Sequence, residues 1–426
     1  MNSQSALASK YTQAASIEVM APVGSYEALT AAINAGANSV YFGVENLNMR
    51  ARNSVNFSLE DLAKITAVCK EKNVKSYLTL NTVIYDNELE KMQQIVDAAK
   101  INGIDAIIAS DMAVLCYAHK KSIALHASTQ LNISNIEAVE FFAGFCDVMV
   151  LARELTIFQV ASIIKEIEKR QIKGPSGNLV KIEIFCHGAL CMAISGKCYL
   201  SLHNYNHSAN RGDCFQICRR SYLAQDAETN EELIIDNQYI MSPKDLCTIE
   251  FIDKIIEAGV SILKIEGRAR APEYVRTTVE CYKAATSSYL NGNWNEQQAA
   301  ALKEKLSTVF NRGFWNGYYL GARLGEWSDV HGTKATKTKV YLGKITNYFS
   351  KINVAEILFE TGEKLSAGED VLIIGPTTGV VEQKAEELRE NREIVSMVQK
   401  ASLFSMPVRE PVRRGDKLYK LIPQNC

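Results

Sequence analysis

The sequence predicts an α/β fold, a (β/α)8 TIM-like barrel with a Cys-rich insertion, followed by a small C-terminal all-β barrel domain. Three observations lead there. Eight short β-like runs alternate with helix-period segments over the first 280 residues. The alternation is interrupted once, for about 75 residues, between the seventh and eighth runs. From about residue 335 the helical period gives way to short alternating runs separated by Gly, Asn and Pro. A doubly wound open sheet is the alternative for the first part.

The first run, Ile17–Ala21, leads into Ser25–Ala35 (SYEALTAAINA), whose apolar residues recur at helical spacing and which stops at Gly36. Ser39–Val44 precedes a second helical segment, Leu59–Lys72, closed by Asn73. Lys75–Asn81 precedes a third, Asn87–Ile101, closed by Gly103. Ala106–Ser110, Ile123–Ala127 and Asp147–Ala152 continue the series, and Thr156–Glu168 follows the sixth run. Lys181–Cys186 and Ser261–Glu266 complete the eight. Parallel strands joined by helices require right-handed crossovers, and eight such units close naturally into a barrel. An insertion after a barrel strand falls on the C-terminal face, where such folds keep their sites. The expected organisation is therefore a disordered arm over 1–16, a catalytic barrel over 17–280 with its insertion at 186–250, a helical bridge over 281–334 and a β-domain over 335–426. Ala271–Gly292, Asn295–Val309 and NRGFWNGYYLG form the bridge.

Composition excludes several classes. The chain is 47% hydrophobic, which argues against disorder, and no apolar uncharged run is long enough for a membrane span. Lys and Arg number 47 against 48 Asp and Glu, so any nucleic-acid partner must be held by a local patch. The polar start, MNSQSALASKYTQAAS, lacks the features of a secretory signal, and a cytoplasmic location is expected. Cysteine is the informative residue. Of 11, five fall between Cys186 and Cys218, a clustering more often catalytic or metal-binding than disulfide-forming in such a protein. Cys191, Cys198, Cys214 and Cys218 are separated by six, fifteen and three residues. Zinc sites favour two tight knuckles, and only Cys214/Cys218 resembles one. Wider spacing suits an iron–sulfur cluster, and plain structural thiols are the third reading. Cys186, at the end of a strand, reads as core.

The runs FCHGALCMAISGKCYLS (185–201), RGDCFQICRR (211–220), SPKDL (242–246) and LKIEGR (263–268) resemble the collagenase-like peptidase family of unassigned catalytic type. APVGSYEAL (21–29), YFG (41–43), RARNSVNF (50–57), HASTQLN (126–132) and FNRGF (310–314) also match its pattern. The C-terminal part, ending in RRGDKLY (413–419), is similar to the small barrel of the branch that hydroxylates tRNA. That branch comprises the prephenate-dependent tRNA uridine 5-hydroxylases, and a sister branch hydroxylates a cytidine of 23S rRNA. The resemblance implies RNA modification at the wobble uridine of the tRNA anticodon region, with a [4Fe-4S] cluster as cofactor and prephenate as co-substrate. It places Cys191, Cys198, Cys214 and Cys218 at the ligand positions, with Cys247 as a substitute for the fourth. Despite the family's label, the sequence shows neither H-E-x-x-H nor G-x-S-x-G.

Hydroxylating a base within RNA requires an unstacked base in a pocket, a plane to stack on it, and cations for flanking phosphates. A dicarboxylate co-substrate calls for one or two Arg. The candidates sit where barrel strands end: Arg50, Arg52 and Phe57 after the second, Asn81 after the third, His126, Ser128 and Gln130 at the fifth, His187 at the seventh, and Lys264, Glu266, Arg268 and Arg270 around the eighth. His187, Glu266, Arg268 and His126 are the candidate catalytic groups. Arg50, Arg52, Phe57, Asn81, Gln130 and Lys264 are the candidate substrate-binding groups. Arg219 and Arg220 are read as cluster support, RNA contacts or plain surface charges. His203 and His207 read as surface residues, Trp315, Tyr318 and Tyr319 as core, and Arg414–Asp416 as a turn.

Overall fold

A computed structural model describes residues 17–52, 56–230, 232–233, 241–322, 325–330, 332–399 and 402–424. The expected N-terminal arm, 1–16, lies outside the described residues. The eight barrel strands are β1 (Glu18–Pro22), β2 (Ser39–Gly43), β3 (Lys75–Leu80), β4 (Ala106–Ala109), β5 (Leu125–Ala127), β6 (Val148–Val150), β7 (Lys181–Gly188) and β8 (Ile262–Ile265). They pair in parallel in sequence order, and β8 bonds to both β1 and β7, so the sheet closes on itself. The interior is packed by Met20, Tyr41, Tyr77, Ala106, Ile108, Val148 and Ile262.

Helices α1 (Tyr26–Asn34), α2 (Asp61–Glu71), α3 (Leu89–Ile101), α4 (Met112–Lys120), α5 (Ile136–Ala143) and α6 (Ile157–Arg170) follow the first six strands. Their starts are set by local chemistry. Ser25, Asp111 and Asn135 accept from backbone N–H groups that a helix leaves orphaned, and Thr156 forms a reciprocal capping box with Gln159. Their apolar faces, such as Leu62, Ile65 and Cys69 on α2, join the shell between strands and helices. The short α7 (Ile252–Glu257) precedes β8, and α8 (Pro272–Leu290) and α9 (Glu296–Ser307) follow it.

The break after β7 has a structural cause. β7 runs to Gly188, beyond the sequence expectation, because the returning segment Asp245–Cys247 pairs antiparallel with its last residues. Phe314–Trp315 then pairs with that segment. Between the two lies the cysteine insertion, with one short helix, Leu200–Tyr205, and two single turns at Ala209–Arg211 and Ile217–Arg219. Gly188 is required here: its φ is +105°, and a Cβ would lie 2.4 Å from the Glu266 carbonyl oxygen.

The C-terminal part is antiparallel and all-β. Its eight-stranded sheet includes the long Lys337–Phe349 strand and the closing Lys417–Pro423 strand, around a core of Leu342, Ile357, Phe359, Phe404 and neighbours. Leu372, Ile374 and Val380 of this sheet pack on Ala31 of α1. Thr30 donates to the Pro376 carbonyl at 2.7 Å, and Lys339 pairs with Glu273 of α8 at 2.6 Å. The β-domain is thus seated on the flank of the barrel, and the strand ends stay open. The Arg414–Asp416 turn leads into the last strand, where Asp416 is buried and bonded to Thr378 and the Arg413 N–H.

Candidate active site

The C-terminal ends of the strands surround a narrow cavity of about 80 Å³. Tyr41 comes from β2, Thr79 and Asn81 from the end of β3, Ser128 and Gln130 from beyond β5, Arg153 from beyond β6, and Lys264, Glu266 and Arg268 from β8 and its exit. Four cations, Arg50, Arg153, Lys264 and Arg268, face one lining carboxylate, Glu266. Such a surplus in a poorly hydrated pocket favours an anionic guest.

The cations are held in place by specific partners. Arg50 donates through Nη2 and Nε to Glu266 at 2.7 and 3.2 Å. Burial pushes the Glu266 carboxyl up, but Arg50, Arg268 and Arg153 outweigh it and hold it below the ordinary carboxylate value. Glu266 in turn raises Arg50 further. Arg268 is buried and donates to Thr79 Oγ1 at 2.6 Å and Asn48 Oδ1 at 3.1 Å; desolvation holds its guanidinium down at about 10. Lys264 Nζ pairs with Glu183 at 2.6 Å, and the other Glu183 oxygen meets His126 Nδ1 at 3.0 Å. Arg153 reaches across to Ser195 Oγ at 2.7 Å, tying the insertion to the barrel. Opposite these charges stands a neutral amide wall, where Asn81 donates to Gln130 Oε1 at 3.2 Å and accepts from the Met49 N–H at 3.2 Å.

Beside this pocket, Cys191, Cys198, Cys214 and Cys218 all line one larger cavity of about 800 Å³. The rest of its wall is mostly apolar, including Met49, Met192, Ile194, Leu200, Leu202 and Ala209. Dense protein pushes the Cys218 thiol up to about 11, with Cys191, Cys214 and Cys198 adding to the rise against Arg219; Cys214 is raised by burial too. Each of these two sulfurs therefore lies within electrostatic reach of the others in the set. At Cys191 burial is outweighed by Arg153 and Arg50, which lower its thiol and favour the thiolate. Among the described residues no three His, Cys, Asp or Glu stand close enough to share a single ion. A four-iron cube keeps its ligand sulfurs further apart than a tetrahedral ion does. A four-thiol set on one desolvated wall, with arginines nearby to offset thiolate charge, is chemically suited to that larger group.

Cys191, Arg50 and Glu266 are shared by the mouth cavity and a third cavity of about 100 Å³ lined by Cys214, Cys218, Arg219, Arg270 and Arg312. The thiols and the cationic pocket are therefore neighbours. Arg219 braces the insertion, donating to Ser242 Oγ at 3.0 Å and the Pro243 carbonyl at 2.6 Å.

Several sequence candidates stand elsewhere. Phe57 is buried between Tyr26 and Phe42, in edge-to-face contacts at 5.3 and 5.6 Å, because its backbone bridges to Val44 and turns the ring in against α1 and β2. His187 is fully enclosed by Tyr274, Tyr282 and Phe314, since the antiparallel Asp245–Cys247 segment covers its strand end. Desolvation first, then Arg270, lowers it to about 3, so it is a neutral imidazole. His126 lies below the pocket floor and acts on it only through Glu183. Arg52 points to the outside, 3.7 Å above the Phe215 ring. Arg270 stacks on Phe310 at 3.6 Å. Cys186 and Cys247 are buried in the barrel wall, away from the four-thiol cavity. His203 and His207 are exposed, and Trp315 and Tyr319 are core, with the Tyr319 hydroxyl donating to the Phe185 carbonyl at 2.8 Å.

The sequence reading missed Arg153, Tyr41 and Glu183. Arg153 stood directly after the expected sixth strand, and a polar residue at a strand exit is what singled out Arg50 and Glu266. Glu183 was visible as a lone acid inside the apolar run KIEIFC.

Comparison with known proteins identifies the family. A protein from Porphyromonas gingivalis named a collagenase is 57% identical over 95% of this chain and 97% of its own length. A Bacillus subtilis protein named tRNA hydroxylation protein P1 is 30% identical over 84% of this chain and 83% of its own. An Escherichia coli protein named a 23S rRNA 5-hydroxycytidine synthase is 30% identical, covering 88% of this chain and 55% of its own. The sequence model of peptidase family U32 matches residues 24–329, from the start of α1 to beyond the segment that caps the barrel, and the chain belongs to that family.

Proposed function

We propose that this chain hydroxylates a pyrimidine in RNA, with the wobble uridine of tRNA as the target and prephenate as the required co-substrate. The observation that carries the reading is the adjacency of two features: a four-thiol wall able to hold a [4Fe-4S] group, and a pocket whose four cations outnumber the two carboxylates, Glu266 and Glu183, that pair with them. Relatives named for tRNA and rRNA hydroxylation support it. Cys191, Cys198, Cys214 and Cys218 would hold the cluster, which supplies one-electron chemistry when bound. Arg50, Arg153 and Arg268 would fix the two carboxylates of the co-substrate, and Glu266 keeps Arg50 in its orientation. The amide wall of Asn81 and Gln130 offers a donor and acceptor for the edge of an extruded base.

The test is nucleoside analysis of tRNA from a strain lacking the gene. Loss of 5-hydroxyuridine and its derivatives is expected, and restoration by the intact gene completes the result. Unchanged tRNA with loss of a hydroxycytidine from 23S rRNA would transfer the activity to ribosomal RNA. A second reading, cleavage of collagen-like chains, rests on the name of the 57% identical relative. Among the described residues no histidine lines the mouth cavity or the third cavity: His126 and His207 lie outside them, tied to Glu183 and Asp213, and His187 is enclosed in the core. Gelatin cleavage by purified protein that disappears with Cys191→Ala would establish that activity instead.

A further inference from the structure

We propose that a stack of aromatic rings and arginines on the outer face of the cysteine insertion is a docking platform for single-stranded RNA next to the target base. The inference rests on the reading that the substrate is RNA and says where that RNA is gripped. Phe215 and Tyr205 lie face to face, with centroids 4.7 Å apart and planes 25° from parallel. The Arg52 guanidinium covers the Phe215 ring at 3.7 Å, and Arg220 stands 5.4 Å from the Tyr205 centroid. The order Arg52, Phe215, Tyr205, Arg220 is a ladder of planar groups. It is tight at the Arg52 end and loose at the Arg220 end, where a base can enter against the outer face of Tyr205.

The ladder is at the surface. Tyr205 is 41% exposed, and Arg52 and Arg220 are exposed. Among the described residues no carboxylate forms an ion pair with either arginine. A second unit adjoins it, with Arg211 lying 3.9 Å over Tyr85, which is 54% exposed, and the Arg52 N–H reaching the neighbouring Gly212 carbonyl. Of the cations nearby, Arg211 is paired with Glu88 and Arg219 is bonded within the insertion, whereas Arg52, Lys197 and Arg220 are exposed. Cations interleaved with accessible rings are what sequence-tolerant recognition of unpaired nucleotides uses, rings for bases and cations for phosphates. The platform is continuous with the site, because Leu202 and His203, on the same short helix as Tyr205, line the four-thiol cavity.

The experiment uses the full chain, purified without air, and a fluorescein-labelled anticodon stem-loop RNA read by anisotropy. Tyr205→Ala and Arg220→Ala should each weaken binding about fivefold or more, and Tyr205→Phe should bind as the parent does. Arg220→Ala should also flatten the salt dependence by about one ion. Removing single loop bases from the RNA supplies a readout that a mere brace within the protein would not move. One abasic position should cost the parent a similar factor and cost Tyr205→Ala nothing more. Iron content and thermal midpoint equal to the parent's exclude misfolding. Binding of both alanine variants within about twofold of the parent, or no base whose loss couples to Tyr205, overturns the platform and leaves the hydroxylation reading standing. Absence of RNA binding by the parent together with unchanged nucleosides in the deletion strain overturns both. Tyr205-dependent capture of a gelatin peptide in place of RNA overturns the identity of the ligand.

Discussion

Replacing Glu183 by glutamine should destabilise the barrel by about 3 kcal/mol at neutral pH, a figure reached by two routes. Glu183 is fully buried in mid-β7 and takes Lys264 on one oxygen and His126 on the other. Burial alone would raise its carboxyl, but Lys264 and then His126 outweigh that and hold it at about 2 instead of the ordinary 4.5. A carboxyl displaced that far contributes on the order of 3 kcal/mol to folding once ionised in both states. Separately, removing one member of a buried pair, so that its partner is left charged and unmatched, costs roughly 3–5 kcal/mol. Glutamine keeps the shape and removes the charge, leaving the Lys264 ammonium without a counter-ion. Urea unfolding followed by tryptophan fluorescence reports on this part of the molecule, because Trp294, Trp315 and Trp327 all precede the β-domain. The sign with pH follows from the depressed carboxyl. Its stabilisation is complete above the unfolded-state value and is lost as pH falls towards about 2. The gap between parent and Glu183→Gln should therefore be full at pH 7 and narrow through the acid range. Equal urea midpoints at pH 7, or a gap that does not narrow on acidification, would refute the assignment of stability to this pair.

Three further outcomes are expected. Cys191→Ala, Cys198→Ala, Cys214→Ala and Cys218→Ala should each lose iron and colour from protein that otherwise carries about four irons per chain. The buried Cys69→Ala and Cys247→Ala should keep both, as metal analysis of anaerobic preparations will read. Arg153→Ala should raise the prephenate concentration needed for half-maximal turnover about tenfold or more, because one charge-assisted contact is removed from the pocket, and it should also loosen the insertion by removing the bond to Ser195. Gly379→Ala should cost about 1–3 kcal/mol, since its φ is +73° and a Cβ would come within 3.0 Å of the Ala31 nitrogen on α1. Denaturant titration measures that cost, and a neutral result would mean that the sheet can slide on its helix.

The barrel was legible because short, mostly apolar strands alternate with helices that carry their own caps and several of which close on a glycine or asparagine. Its closure follows from eight such units, and the observed bounds differ from the expected ones mainly at the ends. The exception was β7, whose extension to Gly188 depends on a partner segment some sixty residues later, and no local signal encodes that pairing. The same missing pairing made His187 look like a mouth residue when it is roofed by Tyr282 and Phe314. Phe57 misled for a related reason. Position after a strand predicts the rim, but the segment folds back and its ring completes an aromatic trio with Tyr26 and Phe42. Arg50, Glu266, Arg268, Asn81 and Gln130 were legible because polar side chains at strand exits have few places to go except the mouth. Arg153 obeyed that rule and was passed over. The common cavity of the four cysteines could not be deduced from spacing, because it depends on how Arg153 and Arg219 fasten the insertion to the rim.

The closure of β8 against β1 sets an order on biosynthesis. Ribosomes release the four cysteines, which end at Cys218, well before Ile262–Ile265 emerges to lock the first strand to the seventh. Lys264, Glu266 and Arg268 arrive with that last stave, so the growing chain exposes its thiols before the wall that shelters them exists. Those thiols must therefore stay reduced through that interval if they are to meet on one wall.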